Sequence, residues 1–410
     1  MKIAEINMIS YGSTGKIMQN IADCARQKGH EVKTYSTNVF NIKYRKNTPA
    51  KEGHKYYGWY LENAVHYVLG SFFGNNGKYS TLGTMQLIKD LKKFKPDVIH
   101  LHNLNNFCIC LPMLFDYIEK NDIKVVWTLH DCWAFTGHCP HFIMAKCDKW
   151  KSGCYSCPQL DIYPKSRIDN TKNSYEMKKT LFNKPKEMTI VTPSKWLSEL
   201  VKESFLKNYP VKVINNGIDL SIFKQGESSF REKYNLQDKY IVLGVSFGWG
   251  ERKGLDVFVE LSKRLPENYK IVLVGTDSLT DEKLPDNILS IHRTQNQKEL
   301  AEIYSAADIF ANPTREENFP TVNIESLACG TPVLTFNTGG SPEIIDENCG
   351  SVVSCDDIDA FEKEIIRIVE TKPYSKENCV LRAKNFDMND KFKEYIELYE
   401  NSSYSTKCTL

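Results

Sequence analysis

Short apolar runs alternate with amphipathic helical stretches along almost the whole chain. Strands and helices in regular alternation are typical of a parallel sheet covered by helices on both faces. Because the second half repeats the layout of the first, the pattern predicts an α/β protein with two doubly wound parallel-sheet domains. The predicted strands are residues 2–9, 31–36, 98–101, 125–129 and 189–192 in the first half, and 240–245, 270–274, 288–291, 308–311 and 333–336 in the second.

The length supports this division, because 410 residues exceed what one hydrophobic core usually serves. The boundary falls at the turn Asn215-Asn-Gly217, where an apolar run ends and the chain becomes polar. We predict a first domain of residues 1–214, which contains a cysteine-rich insert at 132–158, and a second domain of residues 215–389. Residues 390–410 combine a helical pattern with a tail.

Composition is ordinary for a globular protein, with 41% hydrophobic and 25% charged residues. A formal net charge of +2 gives no argument for nucleic acid as a partner. The basic runs at 89–95 and 178–186 predict solvated helix faces, with contact to an anionic bilayer as the alternative. No secretory pattern opens the sequence and no apolar run reaches the ~18 residues of a membrane span. We expect a cytoplasmic location, with peripheral contact at the inner face of the plasma membrane as an extension.

The segment 312–333 carries two carboxylates across a junction between a loop and a helix. Glu317 lies on the loop after a buried strand, and Glu325 lies about one turn inside the helix predicted over 321–329. Glu325 is placed to accept hydrogen bonds from ribose hydroxyls, and Glu317 from a sugar hydroxyl. The alternative is that Glu317 is a solvated loop charge and Glu325 only favours the helix N-terminus.

The start of the same helix predicts a site for a pyrophosphate. Backbone N–H groups around Pro320, Thr321 and Val322 have no partners within the helix and point along the positive end of its dipole. Together with the two carboxylates, this start suggests a sugar-nucleotide site.

A glycine-containing loop, Ser10-Tyr-Gly-Ser-Thr-Gly-Lys16, lies between the first strand and a helix predicted over 17–28. It matches neither the dinucleotide fingerprint nor a Walker loop. Gly12 and Gly15 let the backbone approach a ligand closely. An ordinary tight turn is the alternative interpretation.

These segments occur with further motifs in an order that resembles the retaining GT-B glycosyltransferases, the large family that includes bacterial mannosyl- and glucosyltransferases for surface polysaccharides. The resemblance covers nearly all of the chain. It rests on Glu317 and Glu325 with the tail 328–333, on Asn215-Asn-Gly-Ile-Asp219 followed by Phe223, on Thr192-Pro-Ser194, on Arg252-Lys-Gly254, and on the loop from Gly12 to Gly15.

The resemblance implies the GT-B fold, in which two Rossmann-like domains face each other across a cleft. It implies that a helix at 390–399 crosses back to the first domain. It also implies that Gly15 lies over the donor phosphates and that His130, directly after the strand 125–129, contacts the donor sugar. A histidine after a strand is otherwise a structural residue.

The expected phosphate clamp departs from the family pattern. Lys253 matches the family lysine, whereas the family arginine falls near Phe247, which carries no charge. Arg252 is the neighbouring cation that we expect to replace it, because guanidinium and ammonium groups both suit a departing diphosphate. The alternative is a solvated basic turn. Asn318 stands where the family commonly has glycine.

The function implied is a retaining glycosyltransferase that moves a hexose from a UDP- or GDP-sugar to a glycan or lipid-linked acceptor in bacterial surface polysaccharide assembly. No catalytic cofactor is expected, because the chain shows no D-x-D element placed for diphosphate binding. Two alternatives stay open: a sugar-nucleotide 2-epimerase of similar architecture, and an inactive scaffold in the same pathway. The base, the sugar and the acceptor are not specified by the sequence.

Thirteen cysteines, an odd number without an export signal, argue against a disulfide framework. The spacing C-x7-C-x6-C-x2-C suits one structural zinc ion with four thiolate ligands. Cys132, His138 and His141 are alternative ligands, and reduced thiols or redox and iron–sulfur chemistry are alternative interpretations. The four cysteines are Cys139, Cys147, Cys154 and Cys157.

An aromatic helical stretch spans residues 59–73. Core packing is the default prediction for such a stretch. Contact with a lipid-linked acceptor at a membrane surface is the alternative, because Trp and Tyr suit that interface.

Overall fold

The computed structural model describes residues 1–37, 52–74, 76–105 and 107–401, which divide into two compact units. The first unit comprises Met1–Ile214 together with the chain from Phe392 onward, and the second comprises Asn215–Lys391. Each unit is built on its own parallel sheet.

The sheet of the first unit has seven strands in the order β3-β2-β1-β4-β5-β6-β7. All neighbouring strands run parallel. Parallel neighbours need crossover connections, and this order is that of a doubly wound Rossmann-like sheet. The strands are β1 (Lys2–Ile6), β2 (Glu31–Thr37), β3 (His54–Tyr57), β4 (Val98–Leu101), β5 (Lys124–Thr128), β6 (Met188–Thr192) and β7 (Val211–Val213).

The sheet of the second unit has six parallel strands in the order β10-β9-β8-β11-β12-β13. Its central strands β8, β11 and β12 are nearly continuous apolar runs, as expected for strands that are buried on both faces. The strands are β8 (Tyr240–Val245), β9 (Tyr269–Val274), β10 (Ile288–Ile291), β11 (Ile309–Asn312), β12 (Val333–Phe336) and β13 (Gly350–Val353).

Helices connect the strands in both units, and no helix in the described ranges is both long and apolar enough to cross a bilayer. The last helix begins in the second unit and ends in the first. The helices are α1 (Gly12–Gln27), α2 (Tyr60–Phe73), α3 (Thr81–Phe94), α4 (Leu111–Lys120), α5 (Thr171–Phe182), α6 (Lys195–Glu203), α7 (Phe230–Lys233), α8 (Leu255–Arg264), α9 (Ser278–Asp281), α10 (Gln297–Ala306), α11 (Thr321–Ala328), α12 (Ile358–Thr371), α13 (Lys376–Ala383) and α14 (Met388–Glu400).

The prediction of two doubly wound parallel-sheet domains is confirmed. Each predicted strand has a counterpart within a few residues, but the list of predicted strands lacks three edge strands, β3, β7 and β13. These strands are three or four residues long and only partly buried, so none carries the apolar run that marks a central strand.

The prediction of a loop at residues 10–16 is wrong for residues 12–16, which are helical. Helix α1 begins at Gly12, so Gly15 lies in the first turn of the helix. A Cβ atom on Gly15 would lie 2.5 Å from the carbonyl carbon of Ser10 and 3.1 Å from the carbonyl oxygen of Ile9. The absence of a side chain therefore lets the helix start pack onto the chain that leads into it.

The prediction of core packing for residues 59–73 is wrong. Helix α2 buries the polar or small residues Asn63, His66 and Gly70 and exposes most of its large apolar side chains. These buried residues have specific partners in the rest of the unit. Nδ1 of His66 lies 2.6 Å from Oγ of Ser80, and Gly70 packs against the ring of Phe107. The exposed large apolar residues of the stretch are Trp59, Tyr60, Leu61, Val65, Tyr67, Val68, Phe72 and Phe73.

A buried polar network ties the start of α11 to its sheet. The amide of Asn312, at the end of β11, donates to Oδ1 of Asn323 at 2.7 Å, and the amide of Asn323 donates to Oγ of Ser341 at 2.9 Å. Oγ of Ser341 lies 2.7 Å from Oγ1 of Thr335 in β12. Because each of these groups is buried and paired, the network holds the helix start in one position.

We predict that Asn323→Ala lowers the free energy of unfolding by about 1–3 kcal/mol, because it leaves the amide of Asn312 and the hydroxyl of Ser341 without this partner. Denaturant unfolding followed by tryptophan fluorescence measures the change. Asn268→Ala, at an exposed asparagine of the same unit, is the control and should have little effect. Equal stability of the two variants would contradict a structural role for the network.

Candidate functional site

The candidate site of the second unit lies at the carboxyl ends of neighbouring strands β8, β11 and β12, where ligands bind in sheets of this type. The loops that follow these strands approach very closely. A Cβ on Gly254 would lie 2.4 Å from the carbonyl oxygen of Pro313, and one on Gly339 would lie 1.6 Å from that of Glu317. Both glycines also have positive φ, at 74° and 55°. Glycine at these positions is therefore required for the loops to meet.

The ammonium of Lys253 and the carboxylate of Glu317 form an ion pair between two of these loops. Their side chains are about one-fifth exposed, at 22% and 20%. Arg252 is held alongside, because its Nη1 donates to the carbonyl oxygen of Glu316 at 3.1 Å and its own carbonyl accepts from the N–H of Arg315 at 2.9 Å. The sequence prediction therefore named three side chains that the fold brings to one place.

Helix α11 begins at Thr321, four residues after Glu317 of this ion pair. Pro320 occupies the N-cap position in an extended conformation, and no side chain caps the helix start. Thr321 and Val322 in the first turn are half-buried, so the positive end of the helix dipole remains accessible. Glu325 lies one turn further along, where the hydroxyl of the buried Tyr304 donates to its Oε2 at 3.3 Å.

These groups combine features that suit a phosphorylated sugar ligand. An ammonium group and a helix start both stabilise a phosphate, and carboxylates accept hydrogen bonds from hydroxyl groups. Phe247, where the sequence comparison expected a cation, is 95% exposed on the loop after β8. The cations of the loop after β8 are therefore Lys253 and Arg252.

The candidate residues of the first unit, Gly15 and His130, lie just beyond the carboxyl ends of β1 and β5. His130 belongs to a buried polar cluster that the sequence prediction missed. Its Nε2 lies 3.1 Å from Nδ1 of His102, and Nε2 of His102 lies 3.4 Å from Oε2 of Glu5. The rings of His102 and His130 are stacked, with centroids 5.4 Å apart.

Burial favours the neutral form of every member of this cluster. It lowers the pKa of His130 to about 4, lowers the pKa of His102 well below its usual range and raises the pKa of the Glu5 carboxyl well above its usual range. No hydrogen bond joins the Glu5 carboxyl to Nε2 of His102, so their contact does not fix which nitrogen of His102 carries the proton. Between His102 and His130, one ring nitrogen donates and the other accepts.

Two sequence signals could have revealed the cluster. Glu5 is an acidic residue within an otherwise apolar strand, and acidic side chains are rarely buried without a partner. His100 and His102 are two residues apart at the end of a strand, so their side chains share one face of the sheet.

Metal binding does not fit this cluster. Within the described ranges, Glu5, His100 and His102 form the only group of three potential ligand side chains whose atoms lie within 4.8 Å of one another. However, both ring nitrogens of His100 already have hydroxyl partners. Nδ1 lies 2.6 Å from the hydroxyl of Tyr399, and Nε2 lies 2.8 Å from that of Thr128.

Two family models match successive parts of the chain. Residues 14–222, about half of the chain, match the model of Glycosyltransferase Family 4, and residues 227–386 match that of Glycosyl transferases group 1. The chain is 24% identical over 325 residues to the putative colanic acid biosynthesis glycosyl transferase WcaC of Escherichia coli K12, which covers 75% of this chain and 76% of that protein.

Solved structures share the fold over nearly the full length. Sucrose-phosphate synthase from Thermosynechococcus elongatus matches with a TM-score of 0.73 and 19% identity, over 97% of this chain and 98% of that chain. HepE from Anabaena in complex with UDP matches with a TM-score of 0.68 and 14% identity, over 97% and 99%. The two parallel-sheet domains therefore have the GT-B fold, and the family matches make the chain a glycosyltransferase. The chain belongs to glycosyltransferase family 4.

We predict that Glu5→Gln becomes more stable than the wild-type protein as the pH rises. The folded protein holds the Glu5 proton more tightly than the unfolded chain does, so wild-type stability falls as the pH rises from the unfolded pKa through the folded pKa. Glutamine does not titrate. The difference should grow by up to about 1.4 kcal/mol per pH unit in that interval.

Thermal unfolding of both proteins between about pH 5 and about pH 8 tests this linkage. Glu52→Gln, at an exposed position of the same unit, is the matched control. Parallel curves for wild type and Glu5→Gln would show that the buried carboxyl is not held neutral.

Proposed function

We propose that the protein is a retaining hexosyltransferase that uses a UDP- or GDP-sugar and acts in the assembly of a bacterial surface polysaccharide. The observation that carries the proposal is the ion pair of Lys253 and Glu317. Glu317 lies four residues before Thr321, where α11 begins with an accessible end. The relationship to WcaC supports the pathway, and the UDP complex of HepE supports a nucleoside diphosphate as the leaving group.

Contacts to a bound donor can replace the ion pair between Lys253 and Glu317. When no ligand is bound, Lys253 and Glu317 satisfy each other in a half-buried position. A sugar nucleotide offers substitutes for both partners, because its diphosphate can accept from Lys253 and a sugar hydroxyl can donate to Glu317. Glu325, one turn inside α11, is then placed to accept from the ribose hydroxyls.

The chemistry that we propose needs no catalytic metal or cofactor. The bond between the anomeric carbon and the diphosphate oxygen breaks, and a bond from that carbon to the acceptor oxygen forms on the same face. A phosphate oxygen of the leaving group takes the proton of the acceptor hydroxyl. Lys253, Arg252 and the N–H groups of Thr321 and Val322 stabilise the charge on the departing diphosphate.

His130 is the residue of the first domain that we propose to contact the transferred sugar. Its ring stacks on that of His102 and its Nε2 lies 3.1 Å from Nδ1 of the same residue, which holds the imidazole in one orientation. Gly15 keeps the first turn of α1 free of a side chain beside Ser10. We propose that this turn contributes to donor binding.

We predict that Glu317→Ala and Lys253→Ala each lower transfer by about 10²–10³-fold, the usual effect of removing one preorganised electrostatic contact. The assay measures nucleoside diphosphate release and the coupled product, with UDP- and GDP-sugars offered in parallel. Glu347→Ala, at an exposed acidic residue of the same domain, is the control and should keep full activity.

The products separate the alternatives. A sugar-nucleotide 2-epimerase would convert the donor into its epimer without using an acceptor, and a scaffold would give no turnover. An inverted anomeric configuration in the product would contradict retention.

We further propose that the acceptor is lipid-linked and that α2 and α3 contact the inner face of the plasma membrane. Two apolar surfaces stand side by side, because both carboxylate oxygens of Glu62 in α2 accept from the first N–H groups of α3, at 2.7 and 2.8 Å. Leu61 of α2 is 75% exposed, and Leu82 and Met85 of α3 are also exposed.

Exposed lysines follow the exposed apolar residues along α3. Lys89, Lys92 and Lys93 follow Leu82 and Met85 at helical spacing and are all exposed. Apolar side chains beside several lysines favour an anionic bilayer over a neutral one, because each lysine near such a surface contributes about 1 kcal/mol.

We predict that the double variant Leu61→Ser, Val65→Ser weakens binding to vesicles that contain phosphatidylglycerol by about tenfold or more, because each buried apolar side chain contributes about 1.5–3 kcal/mol. Co-sedimentation measures the bound fraction. Leu279→Ser, at another highly exposed leucine, is the matched control. Failure of the wild-type protein to sediment, or equal binding by the double variant, would contradict the proposal.

A further inference from the structure

The cysteine-rich segment between β5 and α5 has a cavity at its centre. The cavity has about 20 Å³ of free volume and is lined by Cys139, Cys147, Cys154 and Cys157 together with aromatic and polar neighbours. That volume is about what one water molecule or one ion occupies. Four cysteines separated by up to eighteen positions in the sequence thus line one small space.

The four cysteines form no disulfide, and one of them already accepts a hydrogen bond. None of the four belongs to a disulfide. The backbone N–H of Gly137 donates to Sγ of Cys154 at 3.1 Å. Donation of a hydrogen bond to sulfur stabilises a thiolate, and ligand atoms in metal sites are commonly oriented by such contacts. Gly137 has no room for a side chain, because a Cβ would lie 2.7 Å from Cβ of Cys154.

A buried lysine beside the cavity supplies an independent observation. Lys178 is 1% exposed, and its ammonium donates to the carbonyl oxygens of Trp133 at 2.7 Å and Thr136 at 3.1 Å. Across the described ranges, no carboxylate lies within salt-bridge distance of this ammonium. Asp131 is the carboxylate whose charge reaches this ammonium, and it lies beyond that distance. A buried cation with only a distant counter-charge is unfavourable. Thr136 lines the cavity, so anionic thiolates there would supply the missing charge.

His138 lines the same cavity and is 5% exposed. Its Nε2 has no hydrogen-bond partner among the described residues. A buried imidazole nitrogen of this kind is a potential metal ligand or a hydrogen-bond donor to a ligand sulfur. The cavity therefore gathers sulfur and nitrogen donors and excludes carboxylates, which is the ligand chemistry that zinc prefers.

We propose that Cys139, Cys147, Cys154 and Cys157 bind one Zn²⁺ ion in a closed, structural site. Four thiolates and one Zn²⁺ carry a net charge of −2, which the ammonium of Lys178 partly offsets. The four thiol protons are released on binding. Because no three of the sulfur atoms lie within 4.8 Å of one another, the ion draws the segment together as it binds.

The ion holds together a segment that has little regular secondary structure. Between β5 and α5 the chain forms only two short 3₁₀ turns, Trp133–Phe135 and Lys149–Lys151. Trp150 packs against Phe142 and Phe135, and both Trp150 and Phe142 line the cavity. A closed site with four protein ligands leaves no open position for substrate. The zinc therefore stabilises the segment without entering glycosyl transfer, and the inference does not rest on the proposed function.

The experiment measures zinc in the full-length protein, purified without chelator under reducing conditions, by mass spectrometry of the metal. We expect one zinc per chain in the wild-type protein and in Cys355→Ser, an exposed cysteine of the other unit. The double variant Cys154→Ser, Cys157→Ser should lose it. Cobalt exchange then reports the ligands, because the intensity of sulfur-to-cobalt charge transfer counts the thiolates.

A second measurement serves if the double variant does not fold. In the wild-type protein a chelator should expose the four thiols to a thiol reagent and lower the melting temperature, and added Zn²⁺ should reverse both changes. Absence of zinc together with no cobalt charge transfer would overturn the proposal. Retention of zinc by a folded double variant, or the visible absorption of an iron–sulfur cluster, would also overturn it.

Discussion

The parallel direction of the strands is the constraint on which the rest of each domain depends. Since every strand of a sheet runs the same way, the loops that follow them all emerge at one edge. In the second domain this crowding brings the loops of β8, β11 and β12 so close that Gly254 and Gly339 must lack side chains. The same crowding brings Lys253 and Glu317, which are far apart in the sequence, into an ion pair.

The candidate sites of the two domains differ in the charge of their polar groups. The second keeps opposite charges at its sheet edge, where Lys253 and Glu317 neutralise each other and can exchange partners for a ligand. The first keeps neutral groups, because deep burial favours a protonated Glu5 and uncharged rings at His102 and His130. A neutral chain of donors and acceptors can orient an imidazole without a net charge in the core, whereas diphosphate binding needs a cation.

Features that depend on neighbouring residues in the sequence could be predicted, and features that depend on tertiary neighbours could not. The central strands and the start of α11 follow from apolar runs and turn residues. The packing role of Gly15 depends on Ser10 in the folded chain, and the exposed apolar face of α2 depends on partners that bury His66. The cluster of Glu5 and His102 could not be predicted without the strand order, because it forms only where β1 lies beside β4.

The most direct test of the account is an isothermal titration of the protein with UDP-, GDP- and ADP-sugars, with Glu325→Ala beside the wild type. We predict that one nucleotide class binds in the micromolar range and that the variant loses this binding, because the ribose loses its carboxylate partner while Lys253 and Glu317 remain. If none of the three classes binds to the folded wild-type protein, the donor site in the second domain is wrong, and the scaffold interpretation takes its place.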